Sequence, residues 1–525
     1  MIPSQTDLGL PLRRFQGHAR RLGRAASLAL LGLGLLGAPA CKKNKETASP
    51  GSGASKEDVE RAIAEAKKEA KVAGLIDLAN ADLASGRFVS AMKRAEQALE
   101  TNPDNADAHA IMGAALWRAG DFAGSNQAYE KALEIQATNF GATLGLARNL
   151  HASGGHERAI ELADRLLAED KDQIDPWLTK LWSHYAVADA KNSILALDEI
   201  FARMPAEDPQ LALIQSYAGF MRPFEDKGQL CTVKGTKGSS DANIDHNVGM
   251  KYTGAVIGDE FARVILFENR EEAVIDKKLA KQLKLKELGK VKPLGQPEET
   301  GVVLVPAVKF GELSLENVPA IVQDLGPYEQ AMGERPGLIL GRQCLQALGT
   351  VEYDFPNRTL TVAKDPPAST TDKQIELPLL LISMHVLNAP AVPIRINGSE
   401  HEFFVYFGGI YRSGVAVTKK HYFKSGHLPR EVEPPDDEDA GLKMVYVDEV
   451  SLGDVPLPGM GGLVLTNTPP DGNLGTLVEN TAFELGGYVN MALIEGWRVT
   501  YNLAAGKIYV EPSGTKSASK TASAK

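Results

Sequence analysis

Two loops of this chain have similar surroundings, and a pair of acidic side chains, one from each loop, could carry out hydrolysis. Each loop follows an apolar strand that begins after a glycine turn, at Gly258 in one case and at Gly398 in the other. The loop residues are Phe267, Glu268 and Asn269 in the first loop, and Phe407, Gly408 and Gly409 in the second. Hydrolysis by a carboxyl pair needs two acids that share one proton, so that one activates water while the other polarises the peptide carbonyl.

Acidic residues are scarce in these two loops. Glu268 is the single carboxylate of the first loop, and residues 403–414 contain no Asp or Glu. Comparing the two loops one residue further along therefore gives no acid pair within the chain. Two chains could each contribute Glu268, but we expect Glu268 to be an exposed loop residue. The sequence accordingly predicts no catalytic residue in these loops.

The strands that position these loops resemble the retropepsin-like aspartic proteases. In that family the strand ends in Asp-Thr-Gly, and the Asp falls at Phe267 and at Phe407. The segments that close each unit continue the resemblance: Ile339-Leu340-Gly341, a helix at 342–348 and a hairpin at 351–362 in the first unit, and residues 488–490, 491–495 and 497–510 in the second. In the second unit Asn490 stands in place of the expected Gly.

This resemblance implies a fold for the second half of the chain. It implies two mainly-β, acid-protease-type units at residues 230–364 and 375–512, joined by a linker at 365–374, with the acidic stretch 434–439 as a modified flap. Two interpretations of the phenylalanines remain open. The rings meet across a pseudo-twofold axis between the units, or each ring is simply core at the end of its strand.

The half before the β-rich region has a helical period. Gly86, Gly120 and Gly154 recur every 34 residues, which is the tetratricopeptide period. Small residues keep the same register at Ala91, Ser125, Ala159 and Ser193. The pattern predicts a helical solenoid over residues 58–224, with four helix-turn-helix units at 72–105, 106–139, 140–173 and 174–207. Its groove would hold a peptide or a partner helix, or else the array is a spacer or packs against the β-rich half.

The first residues of the chain indicate export. Five Arg precede an apolar run at 25–37 that ends in Ala38-Pro39-Ala40-Cys41, which predicts a bacterial signal peptide over residues 1–40. Cys41 resembles the lipid-modified Cys of bacterial lipoproteins, with residues 41–57 as anchor and flexible tether. This places the protein on the outer membrane or the periplasmic face of the envelope. Cleavage after Ala38-Pro39-Ala40 would instead give a soluble secreted or periplasmic protein. Residues 513–525 are expected to be a disordered tail.

Composition excludes several classes of function. The formal net charge of −10 argues against a nucleic-acid partner. Cys231 and Cys344 either form a disulfide or remain two buried thiols. The histidines have no metal-ligand spacing, and those on helical patterns are expected to be surface or satisfied core residues: His109, His151, His156 and His184. We expect no metal and no cofactor.

Three hypotheses for function follow. The first is a non-catalytic, envelope-anchored scaffold that binds peptides or partner proteins through the helical groove and a pseudo-protease cleft. The second is an aspartic-type peptidase with other catalytic acids, for which Asp276 and Asp354 are the nearest carboxylates; Asp276 is more simply a helix N-cap, and Asp354 matches the final hairpin of the family. The third is an assembly factor whose β half only supports the helices.

Overall fold

The computed structural model describes most of the chain between residues 55 and 512. The described residues are 55–206, 208, 211–244, 250–268, 270–293, 298–365, 374–383, 388–400, 402–407, 415–426, 430–432, 443–457, 463–466, 486–489, 493 and 496–512. The predicted signal peptide, Cys41 and its anchor, the acidic stretch 434–439 and the tail 513–525 lie outside these residues. So do Asn269, Gly408, Gly409 and Asn490.

The described chain begins with antiparallel pairs of helices. They are α1 Lys56–Ala84, α2 Phe88–Thr101, α3 Ala106–Ala119, α4 Phe122–Ile135, α5 Phe140–Ala152, α6 His156–Glu169, α7 Ile174–Ala186, α8 Ala190–Arg203 and α9 Leu211–Met221, followed by a 3₁₀ turn at Arg222–Phe224. Helix α1 starts slightly before the predicted boundary at residue 58, because Ser55 and Asp58 cap it reciprocally. These helices form the array.

Small residues let the paired helices approach closely. The four positions predicted from the 34-residue register are all essentially inaccessible to solvent: Ala91, Ser125, Ala159 and Ser193. Larger side chains fill the remaining space. Tyr129 of α4 is wedged between Gly113 of α3 and Gly145 of α5, and a Cβ atom at Gly113 would lie 2.8 Å from its ring. Glycine is therefore required at these crossings for space rather than for backbone conformation.

The first β unit follows the array. Its strands are β1 Thr232–Lys234, β2 Lys237–Asp241, β3 Asn243–Ile244, β4 Lys251–Ile257, β5 Glu260–Leu266, β6 Ala273–Asp276, β7 Glu287–Val291, β8 Thr300–Phe310, β9 Leu313–Gln323, β10 Pro336–Leu340, β11 Thr350–Asp354 and β12 Thr359–Ala363, and its helices are α10 Lys277–Gln282, α11 Gly326–Met332 and α12 Arg342–Ala347.

Most of these strands close into a barrel. The order is β1-β9-β6-β10-β5-β4-β8-β7, and an additional pairing of β8 with β9 closes the sheet. Strand β10 runs parallel to β5 and antiparallel to β6. It is therefore inserted between the two strands that flank the first loop.

The second β unit repeats this insertion. Its strands are β13 Ile375–Pro378, β14 Leu380–Ser383, β15 Asn388–Ile396, β16 Phe403–Phe407, β17 Val415–Thr418, β18 Arg430–Val432, β19 Lys443–Tyr446, β20 Val450–Leu452, β21 Val455–Pro456, β22 Leu463–Thr466, β23 Gly487–Val489, β24 Trp497–Asn502 and β25 Lys507–Pro512, with helix α13 at Lys419–Lys424. Strand β23 runs parallel to β16 and antiparallel to β17. The two units thus place equivalent strands around their loops.

A six-stranded sheet joins the two units. The strand order is β13-β25-β24-β11-β12-β2. Each unit contributes its closing hairpin and one early strand to this sheet. At its centre β11 of the first unit runs antiparallel to β24 of the second, with Glu352 opposite Thr500. The two units, which together form the β module, therefore share one sheet and are related by a pseudo-twofold axis through its centre.

A disulfide and a continuous core complete the architecture. Cys231 and Cys344 are bonded, with Cα atoms 5.1 Å apart, and tie the chain before β1 to helix α12. One buried hydrophobic cluster runs from the last helices of the array through both β units. No helix in the described part of the chain is long and apolar enough to cross a membrane. The chain is thus a helical repeat region followed by a mainly-β region that contains a barrel.

Candidate functional site

The first loop leaves the barrel beside the inserted strand. The backbone N–H of Phe267 donates to the carbonyl oxygen of Leu340 on β10 at 2.9 Å. The Phe267 ring is half-buried and packs against a small core of the first unit that includes Ile265, Val274 and Ile339. This packing favours the interpretation of Phe267 as core at a strand end. The Phe407 side chain lies outside the described residues, so contact between the two rings stays a prediction.

Glu268 is buried, and the expectation that it is an exposed loop residue is wrong. Only 4% of its surface is accessible. Its carboxylate lies 2.8 Å from Nζ of Lys251, the first residue of β4. A carboxylate at the end of β5 can turn inward because this lysine on the adjacent strand compensates its charge.

The lysine is centred over the sheet that joins the units. Its Nζ donates to the hydroxyl of Tyr501 at 3.1 Å and lies 4.3 Å from the Tyr501 ring centroid and 5.4 Å from that of Tyr353. Glu352 and Thr500 form the central residue pair of this sheet, and Tyr353 and Tyr501 are the next residues of the two strands. The ammonium group therefore stands where the pseudo-twofold axis leaves the sheet. We call Lys251, Glu268, Tyr353 and Tyr501 the axial cluster.

Burial dominates the electrostatics of the axial cluster. It lowers the pKa of Lys251, and the adjacent Glu268 carboxylate opposes that shift. Burial also raises the pKa of Tyr353 well above its ordinary value, and among the described residues its hydroxyl has no hydrogen-bond partner. The side chains of Lys251 and Glu268 are 7% and 6% exposed. Glu268 and Lys251 thus form a buried pair beside the first loop, and the hydrogen bond of Lys251 to Tyr501 joins this pair to the second unit.

The segment after the first loop is held against helix α12. The N–H groups of Arg342 and Gln343 donate to the carbonyl oxygens of Arg270 and Glu271 at 2.6 and 3.2 Å, and the Arg342 guanidinium forms a buried ion pair with the Glu271 carboxylate. A Cβ atom at Gly341 would collide with the carbonyl oxygens of this segment. Close approach of two backbones thus explains the Gly of the Ile-Leu-Gly segment.

The two other carboxylates considered from the sequence have structural roles. Asp276 accepts from the N–H of Lys278 at 2.9 Å and caps α10, as predicted, and it also holds Arg335 at 2.7 Å. Asp354 accepts from Asn357 within the closing turn and pairs with Arg498 of the second unit at 3.1 Å. The structure brings neither of them to Glu268 as a hydrogen-bond partner. No group of three potential metal ligands is present among the described residues.

The array contacts the β module along one edge, at the turns within its helix pairs. The Phe122 ring of α4 packs edge-on against Phe404 of the second unit at 4.7 Å. At the next turns, Gln343 of α12 donates to the carbonyl of Tyr185 at 2.6 Å, and the Tyr185 hydroxyl donates to Glu272 at 2.6 Å. The interpretation that the array packs against the C-terminal half therefore holds for this edge.

The face formed by the first helices of successive pairs carries charged residues. Arg148 of α5 and Asp175 of α7 form an ion pair across this face at 2.8 Å, with both side chains about half exposed. Asp107 at the start of α3 accepts from Asn139 at 2.8 Å, and Phe140 remains 39% exposed. We call this surface, marked by Asp107, Phe140, Arg148 and Asp175, the groove face.

Comparison with known proteins finds one family match, within the helical half. A family model described as Tetratricopeptide repeat matches residues 116–181. Among solved structures, MamA residues 41 to the end from Desulfovibrio magneticus RS-1 is 16% identical, with coverage of 30% of this chain and 88% of that chain and a TM-score of 0.26.

Two further solved structures are similar to part of the chain. A tetratricopeptide repeat protein from Parabacteroides merdae is 19% identical and covers 29% of this chain and 60% of its own, with a TM-score of 0.25. The YrrB structure, described as having an unusual peptide-binding site, is 16% identical and covers 32% and 84%, with a TM-score of 0.26. No curated protein matches the chain. The family match over residues 116–181 supports a tetratricopeptide repeat array before the β module.

Proposed function

We propose that this protein is a non-catalytic scaffold of the bacterial cell envelope, in which a tetratricopeptide array binds peptide segments of partner proteins and is carried on a tandem, degenerate retropepsin-like module. The repeated insertion of β10 and β23 between the loop-flanking strands supports the retropepsin-like assignment, because these two strands hold the segments that the resemblance requires next to the loops. The shared central sheet supports the pairing of two units about an axis.

One observation carries the non-catalytic part of the proposal. The acid of the first loop, Glu268, is paired with the buried Lys251 and not with a second acid, and residues 403–414 of the second loop contain no carboxylate. Acid-pair hydrolysis needs one exchangeable proton between two carboxyl groups. An ammonium group at the axis supplies neither the second acid nor a place for the attacking water.

The binding part of the proposal rests on the groove face. Solenoid repeats form a continuous concave surface whose neighbours contribute successive side chains, and the β module covers the turns of the array instead of this face. Charged and aromatic groups line it at Asp107, Phe140 and Arg148. An envelope location is supported by the predicted leader with Cys41, and by the Cys231–Cys344 disulfide, which is typical of oxidising compartments.

Two measurements on the purified full chain test the proposal. The first is cleavage of a mixed peptide library from acidic to neutral pH by the wild type and by Glu268→Gln; we expect no cleavage above background for either protein. Cleavage that is lost in Glu268→Gln would overturn the proposal and establish a peptidase.

The second measurement is quantitative capture of envelope proteins by the wild type and by two charge-reversal variants. Arg148→Glu reverses a charge on the groove face and is expected to reduce capture about tenfold. A tenfold loss of affinity corresponds to about 1.4 kcal/mol. Lys131→Glu reverses an exposed charge on α4, where Lys131 pairs with Glu134 of the same helix, and should leave capture unchanged. Equal capture by all three proteins would rule out the groove face as the binding surface.

A further inference from the structure

The rings that begin the second helices of the first two pairs contact the second β unit. Phe88 and Phe122 are the first residues of α2 and α4, one repeat period apart. Nζ of Lys420 on α13 lies 5.8 Å from the centroid of the Phe88 ring. The Phe404 ring of β16 packs edge-on against that of Phe122, with centroids 4.7 Å apart. The array therefore meets the second unit twice at the same repeat position.

The third pair continues this series and contacts both units. His156 is the first residue of α6, one further period along the chain. It is buried beside Arg342 and Gln346 of α12 in the first unit. The turn before His156 meets the β24–β25 turn of the second unit. A Cβ atom at Gly154 would lie only 2.7 Å from the carbonyl oxygen of Ala504, so the two backbones are in direct contact.

The fourth pair is held by the first unit. Its contacts come from Tyr185, near the end of α7. The Tyr185 carbonyl accepts from Gln343, and the Tyr185 hydroxyl donates to Glu272, both at 2.6 Å. The segment that follows the array is also bonded to α12 through the disulfide between Cys231 and Cys344. All four helix pairs are therefore attached to the β module.

A solenoid by itself does not fix its curvature firmly. Each repeat contacts only its neighbours, so the curvature is the sum of small rotations between successive repeats. A second body that holds every repeat determines these rotations from outside. The β module is one such body, because the central sheet joins its units and one hydrophobic core runs through both. It contacts the turns of the array, while Arg148 and Asp175 on the groove face remain about half exposed.

We propose that the β module is a template that fixes the curvature of the helical array and thereby the width of the groove face. Attachment at the repeat period supports this role, since a simple junction between two domains needs contacts with only one end of the array. The consequence for binding rests on the proposed function. A peptide would enter a groove that is already shaped, without the entropic cost of ordering the array.

The distance between the first and last pairs, measured without any ligand, tests this proposal. Lys93 of α2 and Leu195 of α8 are exposed and lie three repeat periods apart. Nitroxide labels on Lys93→Cys and Leu195→Cys, in a full chain that also carries Cys41→Ser, give this distance by double electron-electron resonance. Cys231 and Cys344 are joined in a buried disulfide and take up no label. We expect one narrow distance distribution while the β module is unaltered.

Substitutions in the β module release the first two pairs without further change to the array. Phe404→Leu/Lys420→Asp removes one ring contact and replaces the cation at the other ring with an anion, which the ring face repels. The width of the distance distribution should at least double. Lys420→Asp alone exchanges an exposed residue, should preserve the fold and should broaden the distribution less. As a control, Phe261→Ala removes a 68% exposed ring that packs on Arg263 of the same unit, and it should leave the width unchanged.

An unchanged width in both contact variants, or equal broadening in Phe261→Ala, would overturn the proposal. Near-ultraviolet circular dichroism, which reports buried tyrosines, verifies that each variant is folded. If the double variant is unfolded, the width measured for Lys420→Asp alone decides. Because no peptide is present, failure of the proposed groove binding would not alter this result.

Discussion

At the scale of single residues, the most consequential position is Lys251. Its ammonium group connects the first loop, through Glu268, to the second unit, through Tyr501. A buried ion pair adds little stability relative to apolar residues of similar volume, but the loss of one partner leaves an uncompensated buried charge. Replacing Lys251 or Glu268 alone should therefore destabilise the protein more than replacing both together.

We predict that Lys251→Met destabilises the protein by about 3–5 kcal/mol, because Glu268 is then buried without a cation. The double variant Lys251→Met/Glu268→Leu should recover most of this loss, since it removes both charges together. Urea unfolding followed by near-ultraviolet circular dichroism, which reports buried tyrosines, measures both. Equal destabilisation of the single and double variants would show that Glu268 does not depend on Lys251.

The same cluster shows how far residue-level prediction from sequence reached. The local order of turn and apolar strand correctly predicted strands that end at or next to Phe267 and Phe407, because such signals lie within a few residues of each other. The burial of Glu268 was missed, because its partner Lys251 comes from β4, and that lysine is itself held by Tyr501, which is 250 residues from Lys251 in sequence. A lysine that opens an otherwise apolar strand, as Lys251 does, was the available signal.

At the scale of elements, the array depends on space between helices. Tyr129 is 5% exposed, and it occupies volume that Gly113 and Gly145 leave free on either side. Burial raises the pKa of its hydroxyl to about 12. The tyrosine therefore acts as an apolar spacer between the second and third helix pairs.

We predict opposite effects for the same substitution at two helical glycines. Gly145→Ala should destabilise the array by about 1–3 kcal/mol, because the new methyl group meets the Tyr129 ring in a filled interior. Gly74→Ala on α1 has nothing within 4 Å and should stabilise the protein by about 0.5–1 kcal/mol through helix propensity. Thermal unfolding measures the stability of both variants. A stabilising effect of Gly145→Ala would contradict the conclusion that Tyr129 fills the space beside Gly145.

Element prediction succeeded where the signal was periodic. The 34-residue register located the small residues Ala91, Ser125, Ala159 and Ser193 correctly, because each repeat makes the same contacts with its neighbours. It did not reveal that His156 is buried against the β module. That ring is buried by α12 of the β module, and no pattern within the array reports a contact with a different domain.

At the scale of the whole molecule, the junction between array and β module is sensitive to pH. His156 is neutral in the folded protein because its pKa is about 4, whereas the ordinary value is 6.5. As the pH falls below about 6.5, the unfolded chain binds a proton that the folded chain does not. Stability is therefore lost progressively between about pH 6.5 and pH 4.

We predict that this loss amounts to at most about 3.4 kcal/mol, from the difference between the two pKa values. The variant His156→Gln should remove that part of the pH dependence, while His109→Gln on α3 should retain it. Urea unfolding at pH 7, 5.5 and 4 measures the difference. Parallel pH profiles for the wild type and His156→Gln would contradict the assignment.

The central sheet should hold the two β units together even when the chain between them is cut. Strands β11 and β24 pair across the two units along five residue pairs, from Thr350–Asn502 to Asp354–Arg498, and each would be an exposed edge if its unit were isolated. Halves produced by a cut between residues 365 and 374 should thus reassemble from solution into one complex. At high concentration the same edges would allow two intact molecules to exchange units, and an exchanged dimer would preserve every contact of the axial cluster.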